Sequence, residues 1–268
     1  MCSQNMKHNK IGIFDSGLGG LSVYQAIKNW LPNESIIYLG DTARAPYGGR
    51  PKEQLMSFAL QIIDFLVSQQ VKAVVFGCNT ISANCYAELV QRYELPMFEL
   101  IQSAIEESLQ TSRRAIGYLA TEASVKSGAF SKGVKALSNL PVYAVGCPQF
   151  VPLVEEGLTD PAHARPAVEL YLTEILPHID SLVLGCTHYP FLFNAIQQVI
   201  GDRQIHVINP AHSAAAKVAA FLTENQLLAT EKGQDQFYTT GVPAKFEALT
   251  QRLIGIDISA SPLKLAPG

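Results

Sequence analysis

Ala73-Val74-Val75-Phe76-Gly77-Cys78-Asn79-Thr80 and Ser181-Leu182-Val183-Leu184-Gly185-Cys186-Thr187-His188 share one grammar. In each, a short apolar run leads into Gly-Cys and then into hydroxyl, amide or imidazole side chains. Such a run, closed by glycine, reads as a strand that hands over to a helix. Each cysteine therefore falls near a helix N-terminus, whose unpaired N–H groups and positive dipole end favour a thiolate over a thiol. A thiolate so placed is a nucleophile or a base. If one thiolate faces one side of a substrate carbon and a thiol faces the other, a proton can leave from one face and return on the opposite one. That arrangement inverts a stereocentre.

A second similarity points to a duplicated scaffold. Ile11-Gly12-Ile13-Phe14-Asp15-Ser16-Gly17 resembles Ile116-Gly117-Tyr118-Leu119-Ala120-Thr121-Glu122, and the interval between these segments nearly equals that between Cys78 and Cys186. The alternative is chance likeness between two βα units. Strands are expected near 11–14, 35–39, 73–76, 115–119, 142–145, 181–184 and 205–208, with helical patterns at 53–68, 165–176, 211–228 and 244–254. Alternation of this kind implies α/β architecture: two similar domains, each a mainly parallel sheet flanked by helices, with the active site in the cleft between them. Residues 259–268, rich in proline, are expected to form a loose tail.

Composition removes several function classes. The chain has 268 residues, 48% of them hydrophobic, and a net charge of −3, without a lysine and arginine cluster of the kind that tracks a nucleic-acid backbone. No apolar stretch approaches the roughly 20 residues needed to span a bilayer. The opening Met1–Lys10 lacks the apolar middle of a signal peptide, so a cytoplasmic protein is expected. Five cysteines without a CxxC pair fit a reducing compartment. Cys85 and Cys147 read as packed core thiols.

The remaining motifs each admit a plain reading beside a functional one. Gly17-Leu18-Gly19-Gly20-Leu21-Ser22 lacks the third glycine of a dinucleotide fingerprint. Asp15 before it would repel a pyrophosphate and attract an ammonium; the plain reading is a tight turn with an aspartate cap. Tyr47-Gly48 after Ala45-Pro46 is a bend, or a turn whose N–H groups hold a carboxylate. Asn79, Thr80 and Thr187 can donate hydrogen bonds while capping the helices that follow. His188 beside Cys186 supplies too few donors for a closed metal site and suits a proton relay. Glu155, set among Val151, Leu153 and Val154, is a solvated helix carboxylate or a helper of the site. No lysine motif suggests a pyridoxal phosphate Schiff base, so no cofactor is expected.

Phe14–Val23, Gly40–Gly48, Gly77–Thr80, Cys147–Gly157 and Leu184–Pro190 together resemble the glutamate racemases of the aspartate/glutamate racemase family, over about Ile11 to Gly255. The resemblance implies a cofactor-independent, two-cysteine interconversion of L- and D-glutamate that supplies D-glutamate for peptidoglycan. It implies that Cys78 acts on the D enantiomer with Asp15 nearby, and Cys186 on the L enantiomer with His188 nearby and Glu155 assisting. Substrate contacts are implied for Asp15, Ser16, Tyr47, Gly48, Asn79, Thr80, Thr121, Thr187 and His188. His188 after Cys-Thr matches glutamate racemases, since aspartate racemases commonly carry Glu there. The implied division places residues 1–97 and 210–268 in the first domain and 98–209 in the second. A small-molecule substrate is the partner, a homodimer is compatible, and neither nucleic acid nor membrane is expected. An aspartate racemase, another isomerase or decarboxylase of the superfamily, and an idle amino-acid-binding module remain alternatives. The chain departs from the family pattern at 96–103, at Ser124 and Phe130, and at 208–212.

Overall fold

Strands buried on both faces lose the polar alternation of a half-exposed sheet. Ile11–Asp15, Ile36–Gly40, Ala73–Phe76, Ile116–Ala120 and Ser181–Leu184 are buried along their whole length. The protein, described for residues 7–266 by a computed structural model, is built around them. Met1–Met6 of the opening segment and Pro267–Gly268 of the tail lie outside the described residues.

Along the chain run β1 (Ile11–Asp15), α1 (Leu21–Trp30), β2 (Ile36–Gly40), α2 (Lys52–Ser68), β3 (Ala73–Phe76), α3 (Asn79–Arg92), β4 (Met97–Phe98) and α4 (Leu100–Thr111). Then come β5 (Ile116–Ala120), α5 (Glu122–Ser127), α6 (Ala129–Leu137), β6 (Val142–Gly146), α7 (Phe150–Glu155), α8 (Pro161–Leu172) and β7 (Ser181–Leu184). A 3-10 turn (Tyr189–Leu192), α9 (Phe193–Ile200), β8 (His206–Ile208), α10 (Pro210–Glu224), β9 (Gln236–Thr239), α11 (Pro243–Ile254) and β10 (Ala260–Pro262) complete it.

All strand pairs are parallel. One sheet has the order β10-β9-β2-β1-β3-β4, the other β6-β5-β7-β8. Removing β9 and β10 leaves two sheets of the same order, and the register matches as well. Phe14 pairs with Phe76, Leu119 pairs with Leu184, and in each case the cysteine follows two residues later. By the same count Asp15 corresponds to Ala120, and Thr80 to His188. The duplication thus holds in the backbone and lapses at the polar groups beside each thiol.

Apolar clusters cover both faces of each sheet. The described part of the tail departs from expectation: Ala260–Pro262 pairs with Phe237–Thr239 as an edge strand, and Leu263 N donates to Thr239 O at 2.8 Å. The helix expected at 165–176 starts four residues earlier, where Asp160 caps it, and stops at Leu172. Two departures from the family pattern are helix caps. Glu99 accepts from the N–H groups of Ile101 and Gln102 at the start of α4, and Asn209 accepts from Ala211 N ahead of Pro210 in α10. Phe130 stacks on Tyr118, with ring centroids 4.2 Å apart.

Candidate active site

The two cysteines sit where a strand ends and the chain is pulled tight. Gly77 N donates to Phe14 O at 2.8 Å, and Gly185 N donates to Leu119 O at 2.7 Å. Gly185 lies so close to the Tyr118 ring that a Cβ there would overlap it. Cys78 then adopts extended backbone as the N-cap of α3. Asn79 and Thr80 are inside the first turn, and no side chain caps this helix, contrary to expectation. The Asn79 side chain is left available to a ligand, since its Oδ1 is buried without a hydrogen-bond partner.

Electrostatics at Cys78 also departs from the simple dipole argument. The thiol donates to Ser16 Oγ at 3.8 Å. Burial pushes it up to about 12, and the nearby Asp15 charge adds to this, outweighing the backbone N–H groups of Ile81 and Thr80 and the Ser16 hydroxyl. Asp15 is itself raised by burial, against the opposing charge of His188 and the N–H groups of Gly17 and Gly20. Removal from water wins over the helix terminus here. Burial holds Cys78 on the thiol side.

Cys186 has a different neighbour. Its Sγ lies 3.7 Å from His188 Nδ1, and His188 Nε2 lies 3.0 Å from Glu155 Oε1. Burial works against a charged imidazole, yet the hydrogen bonds to Cys186 and Glu155, with the Cys186 and Asp15 charges, raise His188 to about 10. Burial likewise opposes ionisation of Glu155, but its hydrogen bond to His188, helped by Lys245 and the Leu18 N–H, lowers it. A cation therefore stands beside one thiol and a carboxyl group beside the other.

The glycine-rich loop after β1 brings the two sets together. Gly17 N donates to Asp15 Oδ1 at 2.8 Å, and Thr187 Oγ1 donates to Asp15 Oδ2 at 3.4 Å. Gly19 packs against Thr187 and His188 with no room for a Cβ. The loop packs the first half against the second. Asp15 forms an internal turn bond, and α1, which begins at Leu21 with Gly20 at its N-cap position, has no side-chain cap.

The second loop, after β2, is held by a buried aspartate. Asp41 accepts from Arg44 Nε at 2.7 Å, Thr240 Oγ1 at 2.6 Å and the Tyr47 hydroxyl. Tyr47 thus offers a wall rather than a free hydroxyl. Gly48 and Gly49 face open space.

Between these loops lies a cavity of about 730 Å³. Asp15, Ser16, Tyr47, Gly48, Cys78, Asn79, Thr80, Thr121, Cys186, Thr187 and His188, all candidates on sequence grounds, line it. Glu155 does not, and reaches it through His188. Thr121 caps α5 by accepting from Ser124 N, so Ser124 is linked to the wall as well. Cys147, Arg50, Asn84 and Lys126 also line the cavity and were not anticipated. For Cys147 the core reading still holds, since burial pushes its thiol up to about 12. The cations stand in loops and helix ends where charge alone says nothing about direction. Among the described residues no three His, Cys, Asp or Glu side chains are grouped to hold a metal ion. No described helix is long and apolar enough to cross a membrane.

The sequence model of the Asp/Glu/Hydantoin racemase family matches residues 11–218. The chain belongs to this family. Among its racemase relatives, a glutamate racemase of Saccharopolyspora erythraea is 37% identical over 262 residues, covering 96% of both chains. The crystal structure of a glutamate racemase isoform from Bacillus anthracis superposes with a TM-score of 0.91 at 33% identity, covering 96% of this chain and 98% of that one. A Francisella tularensis glutamate racemase in complex with D-glutamate gives 0.88 at 32% identity over the same shares. The two-domain α/β racemase fold read from the strand and cysteine pattern is the fold of these relatives.

Proposed function

We propose that this racemase interconverts L- and D-glutamate with Cys78 and Cys186 as its two bases and no cofactor. One observation carries the reading: two cysteines at register-equivalent strand ends line one cavity, each beside a different proton partner. In the L to D direction, Cys186 takes the α-proton, so a C–H bond breaks, an S–H bond forms, and the electron pair stays on the substrate carbon. Cys78 then gives its proton to the opposite face, leaving its sulfur anionic. The D to L direction reverses both steps. A protonated imidazole stands 3.7 Å from Cys186 Sγ, and burial holds Cys78 as a thiol that can give its proton. Both features suit the L to D direction.

Asp15 serves the Cys78 side, and Glu155 holds His188 on the Cys186 side. Substrate carboxylates and ammonium meet Asp15, Ser16, Tyr47, Gly48, Asn79, Thr80, Thr121, Thr187 and His188; the unpartnered Asn79 Oδ1 supports such a role. The division between domains follows residues 1–97 with 210–268 and 98–209, although β4 carries the first sheet to Phe98. The product is D-glutamate for peptidoglycan, made in the cytoplasm, and the names of the relatives support glutamate over aspartate.

Loss of optical activity, followed by circular dichroism for each enantiomer of Glu and Asp, tests this reading together with exchange of the α-hydrogen in deuterated solvent. Glutamate should racemise and exchange. Faster turnover of aspartate would reassign the substrate, and absence of exchange would leave only a binding protein.

A further inference from the structure

Thr187 separates Cys186 from His188, so the setting of its peptide group aims both side chains. Its carbonyl lacks the usual local donor. The carbonyls on either side receive N–H groups three positions on, Tyr189 N to Cys186 O at 3.0 Å and Phe191 N to His188 O at 3.1 Å, but for Thr187 that residue is Pro190, and proline has no N–H to give. Among the described residues the Thr187 carbonyl has one hydrogen-bond partner, the Ser22 hydroxyl at 2.9 Å. Ser22 lies on α1, against the other sheet, and is buried.

A serine in the first turn of a helix often bonds back to the preceding turn, and Ser22 Oγ is also 2.9 Å from Gly19 O. That carbonyl already receives the Ser22 N–H at 3.0 Å. A hydroxyl has a single proton. The proton is therefore available to the carbonyl that has no other donor. Together with the Thr187 to Asp15 hydrogen bond at 3.4 Å, this contact pins the Cys186 loop to the first half of the molecule.

We propose that Ser22 is a positioning residue for the Cys186–His188 pair, holding the peptide between them through its hydroxyl from across the cleft. The proposal rests on the two-thiol reading above. Without that hydroxyl a buried carbonyl loses its partner, and the loop gains freedom to turn it toward water. Cys186 is displaced and Cys78 is not.

The test compares wild type, Ser22→Ala and Ser22→Thr, the last restoring a hydroxyl. The expected result for Ser22→Ala is a cooperative melt near that of wild type and a kcat/KM about tenfold lower, the scale of ~1.4 kcal/mol. The loss must be equal in both directions, because the two enantiomers are equally stable. Isotope effects separate the two thiols. With α-deuterated L-glutamate the deuterium leaves to Cys186, and with the D enantiomer it leaves to Cys78. Ser22→Ala should raise the primary isotope effect for the L substrate more than for the D substrate, and Ser22→Thr should recover wild-type values. Wild-type kcat/KM in Ser22→Ala, or isotope effects altered alike for both enantiomers, would overturn the assignment of Ser22 alone. No racemisation of glutamate by the wild type would overturn the two-thiol reading beneath it.

Discussion

His188 Nε2 stands 3.0 Å from Glu155 Oε1 while Nδ1 of the same ring faces Cys186 Sγ at 3.7 Å, so one imidazole couples a half-buried carboxylate to a buried thiol. His188 is raised from 6.5 to about 10, and its contribution to stability is complete below 6.5 and fades as pH rises through about 10. Glu155 is lowered from 4.5, so its contribution is present above 4.5 and fades as pH falls through its folded value. Glu155→Gln is expected to lower the melting temperature at pH 7 and to have less effect above pH ~10, where the imidazole is neutral in both proteins. Melting curves across this range check it. The same substitution should shift the basic limb of the pH–rate profile downward.

Cys78→Ala and Cys186→Ala should each abolish racemisation in both directions while leaving the far-ultraviolet circular dichroism intact, because inversion needs an acceptor on one face and a donor on the other. Alkylation should distinguish the two residues in the wild type. The Cys78 thiol, pushed up to about 12, is expected to react with iodoacetamide at neutral pH more slowly than Cys186, which faces a cation. Peptide mass spectrometry of a time course measures the order. Faster labelling of Cys78 would overturn the assignment of a protonated resting thiol to that residue.

Asp15→Asn should separate stability from activity. Burial raises the Asp15 carboxyl above 3.8, so the folded state binds its proton more tightly than the unfolded state and loses stability as pH climbs through this region. An amide keeps an acceptor for the Gly17 N–H and removes the charge. The variant should melt a few degrees higher at pH 7, with little difference near pH 3, and racemise slowly. Calorimetry at the two pH values, paired with the optical assay, decides it.

Lys72→Met should destabilise by about 3–5 kcal/mol, the usual cost of stripping one partner from a buried ion pair. Lys72 Nζ lies 2.6 Å from Glu34 Oε2 with both side chains buried, and it donates to the carbonyls of Lys7 and Leu227 at 2.9 and 2.8 Å. Adding Glu34→Gln should recover part of the loss. Denaturant titration of the single and double variants measures both.

Apolar runs that end in Gly-Cys were legible because a strand buried on both faces needs unbroken hydrophobicity, and a chain leaving such a strand needs a residue without a Cβ; Ala73–Cys78 and Ser181–Cys186 meet both demands locally. The two-half α/β design follows from that, whereas lining residues such as Ser16 and Thr121 came only from the resemblance to the family. The edge strand His206–Ile208 was legible, but Met97–Phe98 and Ala260–Pro262 were not, since these two are defined by the neighbour they pair with and not by any pattern of their own. Protonation states lay equally beyond the sequence. A cysteine at a helix start suggests a thiolate, but how far Cys78 is removed from water, how Asp15 comes to share that burial, and that His188 meets both Glu155 and Cys186 are long-range placements. Only the packed structure sets the desolvation that keeps one thiol protonated and the cation that faces the other.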